Sequence, residues 1–156
     1  MIDIRHREIK DKWNDPINAI MNTYKYEASD WIEYFLTMED KFDRTIFSLL
    51  RFRIPSYDLW KSNQDTNKII ELMPELKWSS LIREIHTFWD QLNVLEKWNK
   101  FGQHIWFWKR LIQEVERISK EEYNLDKIAV IAWVWVRWYY EKRWYHLEWE
   151  YMVKYL

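Results

Sequence analysis

His146, Glu148 and Glu150 stand at alternate positions near the C-terminal end of the chain. Alternate residues of a β-strand share one face, so this spacing sets an imidazole beside two carboxylates, a ligand set suited to zinc or manganese. The same three residues read more simply as the polar face of an amphipathic strand, which Lys154 continues. His86 and Asp90 are four apart on a predicted helix. They could chelate a cation or form an acid-base pair, but at that spacing a surface pair contributing about 0.2 to 0.5 kcal/mol is the ordinary outcome.

Asp58 followed by Glu75-Leu76-Lys77 resembles the D...ExK arrangement of metal-dependent nucleases, in which carboxylates hold a divalent ion and a lysine sits beside a phosphate. That resemblance implies carboxylates on neighbouring strands, whereas Pro74 directly before the motif reads as a helix start. Other chemistries have less support. With no cysteine there is no thiolate nucleophile, no Cys-ligated zinc and no disulfide. No serine has the context of a nucleophile elbow, and no Gly-rich loop is present to cradle a nucleotide. No cofactor is expected.

Aromatic residues beside cations, Trp106, Trp108, Lys109 and Arg110, then Trp135, Arg137 and Trp138, could stack on single-stranded bases. The alternative is core and rim packing with local cation-π contacts. Lys plus Arg total 24 against 25 Asp plus Glu, a net charge of -1. Without a basic excess a nucleic-acid partner is not expected.

These residues must be positioned by the elements around them. The run Lys127 to Leu156 is the most apolar part of the chain and is expected at its core. Tyr145, Leu147, Trp149, Tyr151, Val153 and Tyr155 fall on one parity, as a half-buried strand requires. Ile128 to Val136 is apolar on both parities, which suits a strand covered on both faces. A reversal over Tyr139 to Arg143 makes the two halves an antiparallel hairpin; one long helix is the alternative, because Arg143, His146, Glu150 and Lys154 also share a helical face.

Upstream, the periodicity predicts helices. Asp3 caps a first short one carrying Ile9 and Trp13, and Asp15-Pro16 starts another with Ile17, Ile20, Met21 and Tyr24 inward. Asp30 with Glu33 forms a capping-box-like pair. It opens a long helix with Trp31, Phe35, Met38, Phe42, Ile46 and Leu49 on one stripe, stopped by Pro55; a strand from Thr45 to Ile54 is the weaker reading. After a polar loop around residues 62–67, Pro74 starts a helix with Leu81, Ile85, Trp89, Leu92, Leu95 and Trp98 inward. Gly102 ends it. A last helix, Gln103 to about Lys120, carries Trp108, Leu111, Ile112, Val115 and Ile118 on one face, and Asn124 closes it. The fold expected is α+β and predominantly helical, a single domain over 1–156: a bundle of about five helices with a C-terminal antiparallel β-hairpin, or an all-α bundle with a long C-terminal helix.

Hydrophobic content of 48% and charged content of 31% suit a soluble globule. The N-terminus is charged throughout, unlike a signal peptide, and Ile128 to Val136 is shorter than the roughly 20 residues of a membrane helix. A cytoplasmic protein without membrane contact is the default. The composition departs from natural usage in one respect: a single Gly, where about 7% usage predicts roughly ten, beside 13 Trp. In this, and in lacking cysteine, the whole chain resembles a computationally designed protein, a resemblance of composition that contains no motif. An orphan viral protein is the natural counterpart.

So many rings cannot all enter one core, and exposed aromatics with arginine mark protein interfaces. The function expected is a non-enzymatic structural or protein-binding role, as a designed scaffold or binder or a viral assembly protein, through a protein partner or self-association. Trp106, Trp138 and Trp144 are the candidate interface residues, since each lies off the face assigned to the core or beside a cation. A small metal-dependent hydrolase or nuclease and a single-stranded nucleic-acid binder are the competing readings.

Overall fold

The stretch expected as the clearest helix is extended. In the computed structural model, which describes residues 15–27, 31–55, 76–88 and 97–156, β1 is Ala19–Glu27, β2 Trp31–Asp40, β3 Ile46–Pro55 and β4 Ser79–Thr87. Strands β5 (Lys127–Ile131), β6 (His146–Glu148) and β7 (Tyr151–Tyr155) complete a seven-stranded sheet of order β1-β2-β3-β4-β5-β7-β6. Helix α1 spans Lys97–Arg117 and runs into a wider π turn, Ile118–Glu122; a short α2 covers Arg137–Glu141. The sheet is mixed: β4 and β5 are parallel, while β5 with β7 and β6 with β7 are antiparallel. This corrects the five-helix bundle, and equally the all-α alternative.

The helical reading of residues 31–49 failed for a physical reason. Every residue from Tyr34 to Asp40 is buried, so β2 is covered on both faces, and Thr37, Glu39 and Asp40 are buried beside Phe35, Leu36 and Met38. With buried residues on both parities, Trp31, Phe35, Met38 and Phe42 satisfy a spacing of three and four even though the backbone is extended. The break comes at Lys41–Asp43. There Asp40 Oδ1 accepts from the backbone N–H of Phe42 at 2.8 Å and Asp43 Oδ1 accepts from that of Thr45 at 3.0 Å, side-chain turns that offer the backbone an alternative to the helix. Arg44 comes next, with φ 64. Beyond it β3 alternates, with Phe52 and Ile54 buried and Arg51 and Arg53 half-buried.

The start signal at Asp15-Pro16 acts as expected, Asp15 Oδ1 accepting from Ile17 N at 3.0 Å. It yields only the one 3-10 turn Pro16–Asn18 before β1. The helix expected after Pro74 is the strand β4 within the described residues, and Gly102, expected to end it, falls inside the span of α1. Asp3, Ile9, Trp13, Asp30, Asp58, Glu75, Asp90 and Leu92 lie outside the described residues, as do the readings placed on them. The last helix does form. Leu111, Ile112, Val115 and Ile118 are buried on one face of α1 and its π turn, and Asn124, with φ 49, sends its N–H to Lys120 O at 3.1 Å to close it.

The chain divides into two compact units, each with its own packing. The first comprises Met1–Tyr24, Phe35–Arg51 and Glu84–Glu114; among its buried residues Phe35, Ile46 and Leu49 pack together with Tyr24 and Phe88. Phe47 and Phe107 stack with centroids 6.0 Å apart. The second comprises Lys25–Tyr34, Phe52–Arg83 and Val115–Leu156, and there Ala129, Tyr151 and Val153 pack with Leu76 and Leu81. In this unit the buried hydroxyls of Ser80 and Ser119 meet at 2.7 Å, so neither is desolvated without a partner.

The reversal expected over Tyr139 to Arg143 is also corrected. Lys127 pairs with Tyr155 and Ile131 with Tyr151, but β5 stops at Ile131. Between it and β7 the chain makes a 3-10 turn at Val134–Val136, then α2 and β6. The tight hairpin is β6 to β7, where Glu148 faces Tyr151 across the two residues Trp149 and Glu150.

Candidate functional site

Four successive positions pair β4 with β5 in parallel, Ser79 to Ile82 with Lys127 to Val130. In open sheets with parallel strands, ligands bind beyond the carboxyl ends of those strands. The segment after β5 is therefore the place to look for chemistry, and it is rich in phenols. The turn Val134–Val136 is closed by Val136 N donating to Trp133 O at 2.8 Å, while Arg137 Nε reaches back to Ala132 O at 3.4 Å. These bonds set the direction of α2, whose Tyr139 and Tyr140 are both buried.

Tyr139, Tyr140 and Tyr145 form a chain of edge contacts, with centroids 5.6 Å apart for the first pair and 5.4 Å for the second. The geometry is the T-shaped one that ring quadrupoles favour. Tyr145 donates to Glu116 Oε1 at 3.3 Å, and Lys154 Nζ lies 2.9 Å from the same oxygen. The Arg143 guanidinium lies over the Tyr139 ring at 4.4 Å.

The three phenols differ electrostatically. Burial pushes Tyr145 well above the ordinary tyrosine value of 10.0, with Glu116 adding to it, and burial also raises Tyr140, with Tyr139 contributing. Burial raises Tyr139 too, but the charge of Arg143 opposes the shift. Tyr139 is thus a phenol that stays protonated at neutral pH and has a cation beside it to stabilise the phenolate left when its proton departs. Arg143 is the group there that favours release of that proton, against the effect of burial. Sequence reasoning did not single out these tyrosines for chemistry. The available signal was local: adjacent Tyr139 and Tyr140 flanked by Arg137 and Arg143, directly after the most apolar run.

A second polar centre lies in the other unit. Glu39 is fully buried and accepts from Thr37 Oγ1 at 2.5 Å, Tyr24 OH at 3.0 Å and Arg44 Nε at 2.7 Å. A carboxylate so completely surrounded by donors holds the β2 to β3 turn in place, a structural role.

The residues singled out from sequence are scattered over both units. His146 Nε2 lies 2.6 Å from Glu148 Oε1, which also accepts from Tyr155 OH at 3.2 Å. Glu150 is exposed in the β6 to β7 turn. Among the described residues no three His, Cys, Asp or Glu side chains gather as a metal site. His86 pairs with Glu84 at 3.0 Å, and Lys77 is exposed in the turn before β4. Trp106 lies in the first unit, with Arg110 over its ring at 5.0 Å. Trp138 and Trp144 lie in the second, Trp138 under Lys142 at 4.9 Å. All three tryptophans are exposed. No described helix is long and apolar enough to cross a membrane.

No protein family model matches the chain. Individual proteins do. The tRNA uridine(34) acetyltransferase of Dehalococcoides mccartyi is 33% identical over 131 residues, which cover 84% of this chain and 26% of that protein. Elongator complex protein 3 of Drosophila melanogaster is 36% identical, over 97% of this chain and 26% of its own length. The solved structure of Methanocaldococcus infernus Elp3 with an N-terminal deletion shares the fold with a TM-score of 0.65 at 30% identity, over 91% of this chain and 31% of that one. Over most of its own length the chain is similar to natural proteins, Elp3 and the tRNA uridine(34) acetyltransferases.

It spans between 22% and 26% of the length of these curated relatives. Likeness to the Elp3 proteins over most of the chain overturns the resemblance to a designed protein, and with it the viral alternative. It also overturns the expectation of a non-enzymatic scaffold or binder, since the relatives bear the name of an acetyltransferase. The expectation against nucleic acid falls for the same reason: the relatives' name includes a tRNA nucleoside, and net charge, an average over the whole chain, is blind to one site.

Proposed function

We propose that this chain supplies acetyl transfer within a tRNA-modifying enzyme, with Tyr139 as the proton donor. The observation that carries the reading is the 33% identity to a tRNA uridine(34) acetyltransferase across 84% of this chain. The geometry supports it independently: a phenol kept protonated by burial, with Arg143 beside it, lies beyond the carboxyl end of a parallel strand.

In acetyl transfer from a thioester to the tRNA, an acceptor atom of the RNA bonds the carbonyl carbon and loses its proton to solvent while the carbon-sulfur bond breaks, and the sulfur leaves as a thiolate that needs a proton. Tyr139 can deliver it, and Arg143 stabilises the resulting phenolate until a proton returns from solvent. Tyr140 packs edge-on against the Tyr139 ring and Tyr145 against Tyr140, and the bond from Tyr145 to Glu116 ties this cluster to the end of α1. Removing water from such a site strengthens the effect of Arg143 on the phenolate.

The test is to incubate the chain with acetyl-labelled coenzyme A thioester and tRNA, following free thiol and label in the RNA. Thiol release that depends on tRNA, with label in the RNA, is the expected result. Absence of both from a folded chain that also fails to bind the thioester overturns the reading.

A further inference from the structure

With design excluded, thirteen tryptophans beside one glycine need a natural cause, and the backbone indicates one. Five described non-glycine residues have φ in the left-handed region: Arg44, Trp78, Asn124, Trp144 and Trp149. Asparagine tolerates that region, but a bulky ring there is an outlier. Trp78 at φ 57 ends the turn before β4, and Trp144 at φ 67 ends the turn after α2. Trp149 at φ 56 is the first of the two residues linking β6 to β7. A two-residue hairpin with positive φ at its first position takes glycine there.

Packing does not offset the strain at two of these positions, because Trp144 is 85% exposed and Trp149 79%. Trp133 and Trp135, in the irregular stretch after β5, are 72% and 71% exposed and stack on each other at 5.3 Å. Trp31 is different: it is half-buried under the Arg53 guanidinium at 4.1 Å, the environment a tryptophan suits.

We propose that positions 78, 133, 135, 144 and 149 are glycine in the protein as its own cells make it, encoded by UGA. That codon differs by one base from the glycine codon GGA and by one from the tryptophan codon UGG, and genetic codes that reassign it from stop read it as tryptophan in some lineages and as glycine in others. One codon read two ways produces a glycine deficit and a tryptophan surplus of similar size, and it places part of that surplus at turns with positive φ, as at 78, 144 and 149, and part in exposed irregular backbone, as at 133 and 135. The exposed rings at 133, 135, 144 and 149 are then absent from the native surface, and Trp144 is a turn glycine in place of an interface anchor.

Peptide mass spectrometry of the protein purified from the cells that carry its gene tests this directly. Glycine at 78, 133, 135, 144 and 149, with tryptophan at 31, is the expected result; tryptophan at 78, 144 and 149 overturns it. In recombinant protein, Trp144→Gly and Trp149→Gly should each raise the unfolding midpoint above both the parent chain and the matching alanine variant, because alanine also opposes positive φ. A glycine variant no more stable than its alanine counterpart overturns the geometric basis.

Discussion

Lys154 of β7 and Glu116 of α1 meet at 2.9 Å with both side chains about four-fifths buried, and the same carboxylate oxygen accepts the Tyr145 phenol at 3.3 Å. One acidic group therefore ties helix, strand and tyrosine cluster together. Truncation leaves a cation and a phenol partly desolvated without their acceptor. Glu116→Ala should lower stability by about 1 to 3 kcal/mol in urea denaturation, and Glu116→Gln, which can still accept from Tyr145, should lose less.

Arg44 reaches the fully buried Glu39, with Nε at 2.7 Å, from a backbone at φ 64. Its two contributions can be separated. Arg44→Ala should lower the urea midpoint, because a buried carboxylate loses its cation while keeping Thr37 and Tyr24. Arg44→Gly should lower it less, since glycine meets no steric penalty at positive φ, a difference of about 1 kcal/mol in backbone strain. Equal midpoints for the two variants would refute the backbone part.

Tyr139→Phe should lower acetyl transfer by about 100-fold to 10,000-fold, the range for a lost general acid, with little change in melting temperature. Because its pKa is raised above 10.0, the parent rate should stay level through neutral pH and fall only on the alkaline side of that value. Arg143→Ala removes the charge that opposes the shift, so the alkaline limb should move to higher pH in a profile of kcat/KM.

Tyr140 and Tyr145 are buried and neutral in the folded state, both raised above 10.0. A folded pKa above the unfolded one means the stabilisation is fully present below the unfolded value and is lost as pH rises towards the folded one. Stability should therefore hold to about pH 10 and then fall by about 1.4 kcal/mol per pH unit for each of the two phenols. Tyr140→Phe should reduce that slope by one such increment, measured as the denaturation midpoint against pH.

Legibility from sequence tracked the range of the interaction. The cap at Asp15, the buried face at Leu111, Ile112, Val115 and Ile118, and the closure at Asn124 each depend on neighbours within a few residues. Residues 31–49 were misread as one helix because Trp31, Phe35, Met38, Phe42, Ile46 and Leu49 happen to fit a spacing of three and four; the weaker reading, a strand from Thr45 to Ile54, is the one that β3 matches. The candidate site was illegible in a different way: Glu116, Tyr139, Tyr140, Tyr145 and Lys154 come from separate elements and share no motif.

The sequence by itself determined where the chain can bend and which stretches must be buried. It also excluded a cysteine nucleophile in this chain and carried, in its one glycine and 13 tryptophans, a sign of how its codons are read. Only the tertiary structure decided that residues 31–40, 46–55 and 79–87 are strands, because a strand's hydrogen bonds are made to residues distant in sequence. The same holds for Tyr139: its proton affinity is set by burial and by Arg143, and burial is a property of the assembled fold.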